Sequence, residues 1–257
     1  MSGYKLTEVV RNRLADLAEK NLWEDNGESN EALRYLRDKR GLDDETIKKF
    51  HFGFVPLHAR YNIPDLGNIF AGRIIMPVFD PYDRLVILTA GRFREGDDFV
   101  KYWHESFDKS WYLYGMDAAK RSIIAHDKAI IVEGQMDVAR MHQFGFDISV
   151  GILGSAFEES HLCILSSRCS EIFLLFDNDS SGRGNLDRAM ELYRNKGWKN
   201  LGIKFIPVRL PGDGQDPDDF LRTHGREAML NLLKQAKIRS EEEKLWNTNH
   251  SQMKLSI

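Results

Sequence analysis

Residues 171–182 read Glu-Ile-Phe-Leu-Leu-Phe-Asp-Asn-Asp-Ser-Ser-Gly, an apolar run that stops directly on Asp177, Asn178 and Asp179. A short apolar run bounded by turn formers reads as a buried strand, far below the ~20 residues of a membrane span. The same reading applies at residues 129–132, 148–153 and 203–208. Helical spacing predicts helices between them over 136–145, 158–168 and 184–196. Short apolar strands alternating with helices imply an α/β fold whose parallel sheet carries helices on both faces. In such sheets ligands bind beyond the carboxyl ends of the strands, so the residues standing there decide the function.

Those ends are acidic. The strand at 129–132 runs into Glu133-Gly134, with Asp137 in the first turn of the next helix. The strand at 171–176 delivers Asp177 and Asp179, and the last strand is followed by Asp213, Asp216, Asp218 and Asp219. Taken singly, each has an ordinary structural role: Asp216 before Pro217 suits an N-cap, and Asp137 suits a helix dipole. Together they form a cluster in which two carboxylates ~5 Å apart repel by about 3 kcal/mol at an effective dielectric of 20. Cations offset that cost. Oxygen donors that leave room for water and phosphate suit Mg2+ or Mn2+ rather than zinc, which points to metal-dependent phosphodiester chemistry.

Upstream, Leu6, Val9, Val10, Leu14 and Leu17 predict a helix over residues 5–22. Ser29 is a candidate N-cap for a second helix ending at Gly41, and Asp43 for a third. Residues 73–79 and 84–91 read as a hairpin around Asp80-Pro81-Tyr82-Asp83. A turn centred between Pro81 and Tyr82 sets Arg73 opposite Ala90, with Arg92 one diagonal step away. The two arginines then either flank an anion or pair with surface carboxylates. Tyr102, Trp103, Trp111 and Tyr112 are read as packing residues, with base stacking as the alternative. The expected layout is a smaller mixed α+β N-terminal subdomain over residues 1–128, a catalytic α/β subdomain over 129–237, and a polar tail without regular structure over 238–257.

The 257 residues carry 36 Lys+Arg against 39 Asp+Glu, and no region is a basic arm: residues 1–60, 61–128 and 129–257 sum to 0, −1 and −2. Bulk charge therefore argues against tight nonspecific binding of nucleic acid. With no charged-then-apolar leader, the expectation is a cytoplasmic protein that does not engage a membrane. Two cysteines, Cys163 and Cys169, exclude a disulfide scaffold and are read as buried apolar residues.

Glu133, with Asp177 and Asp179 as an Asp-x-Asp pair, resembles the TOPRIM pattern shared by primases, topoisomerases and some nucleases. Glu133-Gly134-Gln135-Met136-Asp137-Val138, Leu153-Gly154-Ser155, Asp177 through Arg183, and Asp216-Pro217-Asp218 resemble it as bacterial and phage DNA primases write it. Upstream, Tyr35-Leu36-Arg37, Phe52 through Pro56, Gly72-Arg73-Ile74, Gly91-Arg92, Lys101-Tyr102 and Phe107-Asp108-Lys109 are similar to the N-terminal primase motifs in order. The resemblance covers about residues 30–228. It implies a TOPRIM-containing RNA polymerase core, a nucleotidyltransferase making short RNA primers from NTPs on single-stranded DNA during replication. It further implies Glu133, Asp177 and Asp179 as catalytic residues, helped in holding Mg2+ by Asp137, Asp216 and Asp218. Arg73, Arg92, Lys101 and Lys109 are the implied nucleotide and template contacts. Departures are His104 after Lys101-Tyr102-Trp103, and no cysteine before residue 163, so neither a zinc ribbon nor zinc is expected. A helicase-binding domain is not expected either, which leaves a replicative helicase or a separate template-recognition protein as the expected partner. The trimmed core is reminiscent of phage or plasmid primases. A TOPRIM nuclease and a non-catalytic replisome subunit are the rival readings.

Overall fold

The computed structural model describes residues 5–57, 59, 70–94, 102–154, 156–195, 198 and 202–255, with side chains described to residue 242. Lys101 and Ser155 lie outside the described residues. The chain divides into two compact units, Met1–Lys120 and Arg121–Ile257.

In the first unit, α1 (Glu8–Leu22) starts at the Thr7 cap and buries Arg11, Leu14, Ala18 and Leu22. Val9, expected on the apolar face, is 77% exposed. The buried stripe runs through positions 11, 14, 18 and 22, and position 9 falls outside it. Asn26, not Ser29, caps α2 (Gly27–Arg34): its side chain accepts the Ser29 N–H at 2.9 Å, so Ser29 lies inside the first turn. Asp43 caps α3 (Asp44–Lys49) as expected. Strands β1 (Gly53–Val55), β2 (Arg73–Phe79), β3 (Leu85–Arg92) and β4 (Tyr102–His104) form an antiparallel sheet in that order. Helix α1 packs on β1. Gly53 permits the approach, because a Cβ there would stand 2.7 Å from both the Ala18 backbone carbonyl carbon and the Ala18 Cβ.

The hairpin register differs from expectation: Arg73 faces Arg92 directly, and Ala90 faces Ile75. Asp80 Oδ1 accepts the N–H groups of Tyr82 and Arg84, at 2.8 and 3.1 Å, and Asp83 takes φ 63°, so the turn closes between Asp80 and Arg84. An irregularity between Val78 and Phe79 then adds a further residue on β3. These two single-residue steps move the pairing by two. Of the four aromatics read as packing residues, Trp103 packs edge-on to Phe70 with ring centroids 4.6 Å apart, and Tyr112 lies against Phe107. Tyr102 and Trp111 are exposed, since β4 is an edge strand and Trp111 sits on a short 3-10 turn (Lys109–Trp111).

Glu105 anchors the start of this unit. Its carboxylate accepts the N–H groups of Leu6 and Leu88, each at 2.9 Å, and two bonds from Arg11, each at 2.8 Å. Burial of both partners is tolerated because their hydrogen-bonding groups are met within the cluster.

Helix α4 (Met116–His126) carries the division between the units. The second unit then runs β5 (Lys128–Val132), α5 (Gln135–Gln143), β6 (Ser149–Gly151), α6 (Glu159–Ser166), β7 (Glu171–Leu175), α7 (Ser180–Asn195), β8 (Lys204–Val208) and α8 (Pro217–Leu255). The sheet is parallel throughout, in the order β6-β5-β7-β8. The chain first steps outward from β5 to β6, then crosses back to β7 and continues to β8. Right-handed crossovers therefore place α5 on one face and α6 and α7 on the other, as the alternation predicts. Helix α8 packs against α5. The strands are buried end to end, Ala129 to Val132 and Ile172 to Leu175 being at most 6% exposed.

Two expectations change here. Cys163 is exposed, while Cys169 is buried, because α6 turns His161, Leu162 and Leu165 inward instead. The tail expected to lack regular structure is helical, α8 continuing through a break at Gly225 to Leu255. Its Glu, Lys, Arg and Leu residues favour helix without needing a packed apolar face.

Candidate active site

The reversal of strand order falls between β5 and β7, which makes their carboxyl ends the crevice of this sheet. Glu133 follows β5 and Asp177 follows β7, separated from it only by Phe176. Glu133 Oε1 accepts the Asp177 backbone N–H at 3.3 Å, so the two acids are brought together by the backbone itself. Gly182, in the first turn of α7, allows the contact: a Cβ there would lie 2.0 Å from the Asp177 carbonyl oxygen and 2.8 Å from Glu133 Oε1. Asp179 accepts the Gly182 N–H at 2.8 Å and so caps α7. Helix α7 thus begins at Ser180, four residues before the start expected at residue 184.

The electrostatics are those of acids held close. Burial, then the charges of Glu133, Asp216 and Asp179, push the Asp177 carboxyl up to about 7. Burial and the charge of Asp179 raise Glu133, against a hydrogen bond from Asn185 that favours its ionised form. Asp177 Oδ1 is buried and has no hydrogen-bond partner among the described residues. An orphaned buried oxygen of this kind costs about 1–3 kcal/mol unless something binds it.

The other three expected ligands, on the α5 and α8 side, are differently engaged. Asp137 accepts the Gly134 N–H at 3.1 Å and the Asp218 N–H at 3.3 Å, tying the start of α5 to the start of α8. Burial, then Asp216, Asp177 and Asp218, hold its carboxyl well above the usual carboxylate range. Asp218 is buried in an ion pair with Arg140, Oδ1 to Nε at 2.5 Å. Asp216 Oδ1 caps α8 through the Asp219 N–H at 2.6 Å. Among the described residues no group of three or more His, Cys, Asp and Glu closes into a metal cage. Glu133, Asp177 and Asp179 form the open acidic edge, while Asp137 and Asp218 buttress it from behind.

Of the basic residues, Arg73 and Arg92 face each other across β2 and β3, Arg73 buried and both engaged by other groups. Their Cβ atoms are about 5 Å apart in such a pairing. Lys109 sits half-buried on the 3-10 turn, and burial lowers its ammonium below the usual lysine range. Lys101 lies outside the described residues.

Three residues do work at the site that sequence reasoning did not assign. Asn178 locks the acidic loops together: its amide donates to the carbonyls of Leu210 and Gly212, at 3.0 and 2.9 Å, and its backbone pairs with Gly214 and Gln215. Asn185, buried on α7, bonds Glu133 and accepts the Phe157 N–H at 3.2 Å. A polar residue beside Leu186 and Ala189 on the apolar face of an amphipathic helix was the available signal for it. Arg140, which pairs with Asp218, left no comparable local sign.

Comparison with known proteins agrees with this architecture. The Toprim-like family matches residues 130–221. The DNA primase of Chlamydia trachomatis is 33% identical over 230 residues, covering 80% of this chain and 37% of that protein. The chain thus spans less than half the length of this curated relative. The solved DnaG catalytic core superposes with a TM-score of 0.78 at 26% identity, over 89% of this chain and 79% of the other. A DnaG primase catalytic domain solved bound to ssDNA gives 0.77 at 25%, over 89% and 78%. With its parallel sheet, its acids at the β5/β7 crevice and an antiparallel N-terminal sheet, the chain resembles the DnaG primase catalytic core, and residues 130–221 match the Toprim-like family.

Proposed function

We propose that this chain is the catalytic core of a DNA primase, a DNA-directed RNA polymerase that joins NTPs into short primers on single-stranded DNA during replication. The observation that carries the proposal is the unpartnered, buried Asp177 Oδ1 among the coupled acids Glu133 and Asp179 at the strand-order switch. A similar DnaG catalytic domain solved with ssDNA supports the template class. Toprim membership implies a divalent metal, and an all-oxygen, open donor set fits Mg2+ or Mn2+. Such a cation, when bound, would neutralise the triphosphate and activate the attacking hydroxyl.

The chain's own residues supply placement. Glu133, Asp177 and Asp179 are the catalytic residues, their oxygens fixed by Asn185, the Asp177 N–H and the α7 N-terminus. Asp216 adds charge toward the same centre. Asp137 and Asp218 are assigned to the metal-binding set chiefly as positioning groups, because their oxygens hold α5 and α8 together. Arg73, Arg92, Lys101 and Lys109 are assigned to template and triphosphate, Lys101 on sequence alone. Residues 129–237 would form the TOPRIM subdomain, 1–128 the N-terminal subdomain and 238–257 a C-terminal extension. Among the described residues no helix is long and apolar enough to cross a membrane, in keeping with work in the cytoplasm, with a replicative helicase or a separate template-recognition protein as partner.

The test is primer synthesis on a panel of single-stranded templates with Mg2+ and labelled NTPs, with and without helicase. Short RNA that disappears in Asp177→Ala and Glu133→Ala supports the proposal. DNA loss without any NTP requirement would indicate hydrolysis instead, and no product on any template, with or without helicase, beside an active control primase would overturn it.

A further inference from the structure

On the side of α7 away from its first turn, α7, β8 and α8 enclose an open groove of about 700 Å3. Apolar side chains form part of its lining, beside the polar Gln235 and Ser240. Leu186 and Met190 come from α7 at positions i and i+4, Leu232 and Ala236 from α8 with the same spacing, and Leu210 lines it too. Its charge is one-sided: Arg194 stands one turn beyond Met190, Arg239 about one turn beyond Ala236, and Arg209 follows β8. All three are exposed, and among the described residues none makes an ion pair or hydrogen bond. Among the described residues Asp187 is the one carboxylate that lines it.

Three guanidinium groups beside apolar side chains are complementary to a ligand that is anionic on its flanks and apolar on one face. Two rims of helical side chains, each spaced by four residues, offer anchor positions that suit the i, i+4 side chains of a third helix. A nucleic-acid strand fits less well. Its phosphates would use the arginines but leave the leucines and methionine unused, and among the described residues no aromatic side chain lines the groove for base stacking. We propose that this groove docks an acidic amphipathic helix of a protein partner, with its apolar side chains on Leu186, Met190 and Leu232 and its carboxylates on Arg194, Arg209 and Arg239.

The probe is a fluorescein-labelled helical peptide of about 18 residues, with leucines at i, i+3, i+4 and i+7 and glutamates on both flanks. Its binding to the full chain is followed by fluorescence anisotropy. Binding should weaken about tenfold or more in Arg194→Glu/Arg239→Glu, less in Arg194→Gln/Arg239→Gln, and should fall with added salt. Both variants should keep the Mg2+-dependent thermal shift of the acidic site, which separates this proposal from the assignment of that site. The glutamine pair, which removes charge without reversing it, serves if the glutamate pair fails to fold. Equal binding of a lysine-flanked peptide, or of a glutamate peptide with serine for leucine, would overturn the proposal. So would unchanged binding in both variants, or competition by a single-stranded oligonucleotide of the same charge. Self-association of the chain that vanishes in either variant would replace it with a contact between copies.

Discussion

Replacing Gly182 by alanine sets a methyl carbon 2.0 Å from the Asp177 carbonyl oxygen and 2.8 Å from Glu133 Oε1. The nearer obstacle is backbone, which no rotamer change can move, so the start of α7 must shift by about 1 Å to restore van der Waals separation. Overpacking of this kind costs typically 1–3 kcal/mol, and an overlap with a main-chain oxygen belongs at the upper end, about 3 kcal/mol. Gly184, two residues further along the same helix, is the internal control. A Cβ there meets nothing within 4 Å, and the residue is exposed. Gly184→Ala should therefore stabilise by about 0.5–1 kcal/mol, the ordinary helix penalty of glycine. At about 2–4 °C per kcal/mol, the first change lowers the melting temperature by roughly 6–12 °C and the second raises it by roughly 1–4 °C. Urea unfolding of both variants gives the free energies, and the melting temperature with and without Mg2+ reads the site. Gly182→Ala should also shrink the Mg2+-dependent gain, since the shift separates Glu133 from Asp177. A Gly182→Ala protein within 0.5 kcal/mol of the parent, or equal losses at both positions, would refute the close packing of α7 on the acidic loop.

Asp177 makes the metal-free protein sensitive to pH in an uncommon direction. Its folded carboxyl is raised from 3.8 to about 7, so stability from this group is greatest below pH 4 and is lost as pH rises toward 7. The rise corresponds to about 4 kcal/mol, which solvent screening of the partly exposed group reduces to about 2. Asp177→Asn should recover about 2 kcal/mol at pH 8 without metal and flatten the profile between pH 4 and 7, as read by urea titrations. Arg140→Ala strands the buried Asp218 carboxylate and should cost about 3–5 kcal/mol. The double variant with Asp218→Ala should lose less than the sum in a double-mutant cycle. Glu105→Ala orphans two backbone N–H groups and the buried Arg11 guanidinium, so a loss of about 3–5 kcal/mol is expected by denaturant unfolding. A cost below 1 kcal/mol would mean that Arg11 and the start of α1 find other partners.

Much of the second unit was legible before any coordinate. The runs ending at Val132, Phe176 and Val208 announce strands because parallel strands are buried on both faces and therefore continuously apolar. Glu133 and Asp177 could be picked out because acids directly after such runs must stand at the carboxyl edge of the sheet. Asp43 was legible as a cap for an equally local reason, while Asn26 and Ser29, three residues apart, both had cap chemistry and only the helix start distinguished them. The tail from residue 238 departs from expectation because apolar periodicity is a sign of a packed face, and a helix can form without it.

By itself, then, the sequence determined the alternation of strands and helices and the acids that end the strands, and its motifs resemble those of primases. These are properties of periodicity and of residues adjacent along the chain. Tertiary structure decided which distant groups meet. The β2–β3 register depends on a turn and a bulge whose single-residue steps carry no apolar signature. Asp137 and Asp218 are 81 residues apart, yet share a hydrogen bond that turns them toward the α5–α8 contact. Arg194, Arg209 and Arg239 become one charged rim only when α7, β8 and α8 close around a groove. Such encounters are fixed by the closure of the whole sheet, whose energy is spread over many weak contacts, and no local stretch of residues encodes them.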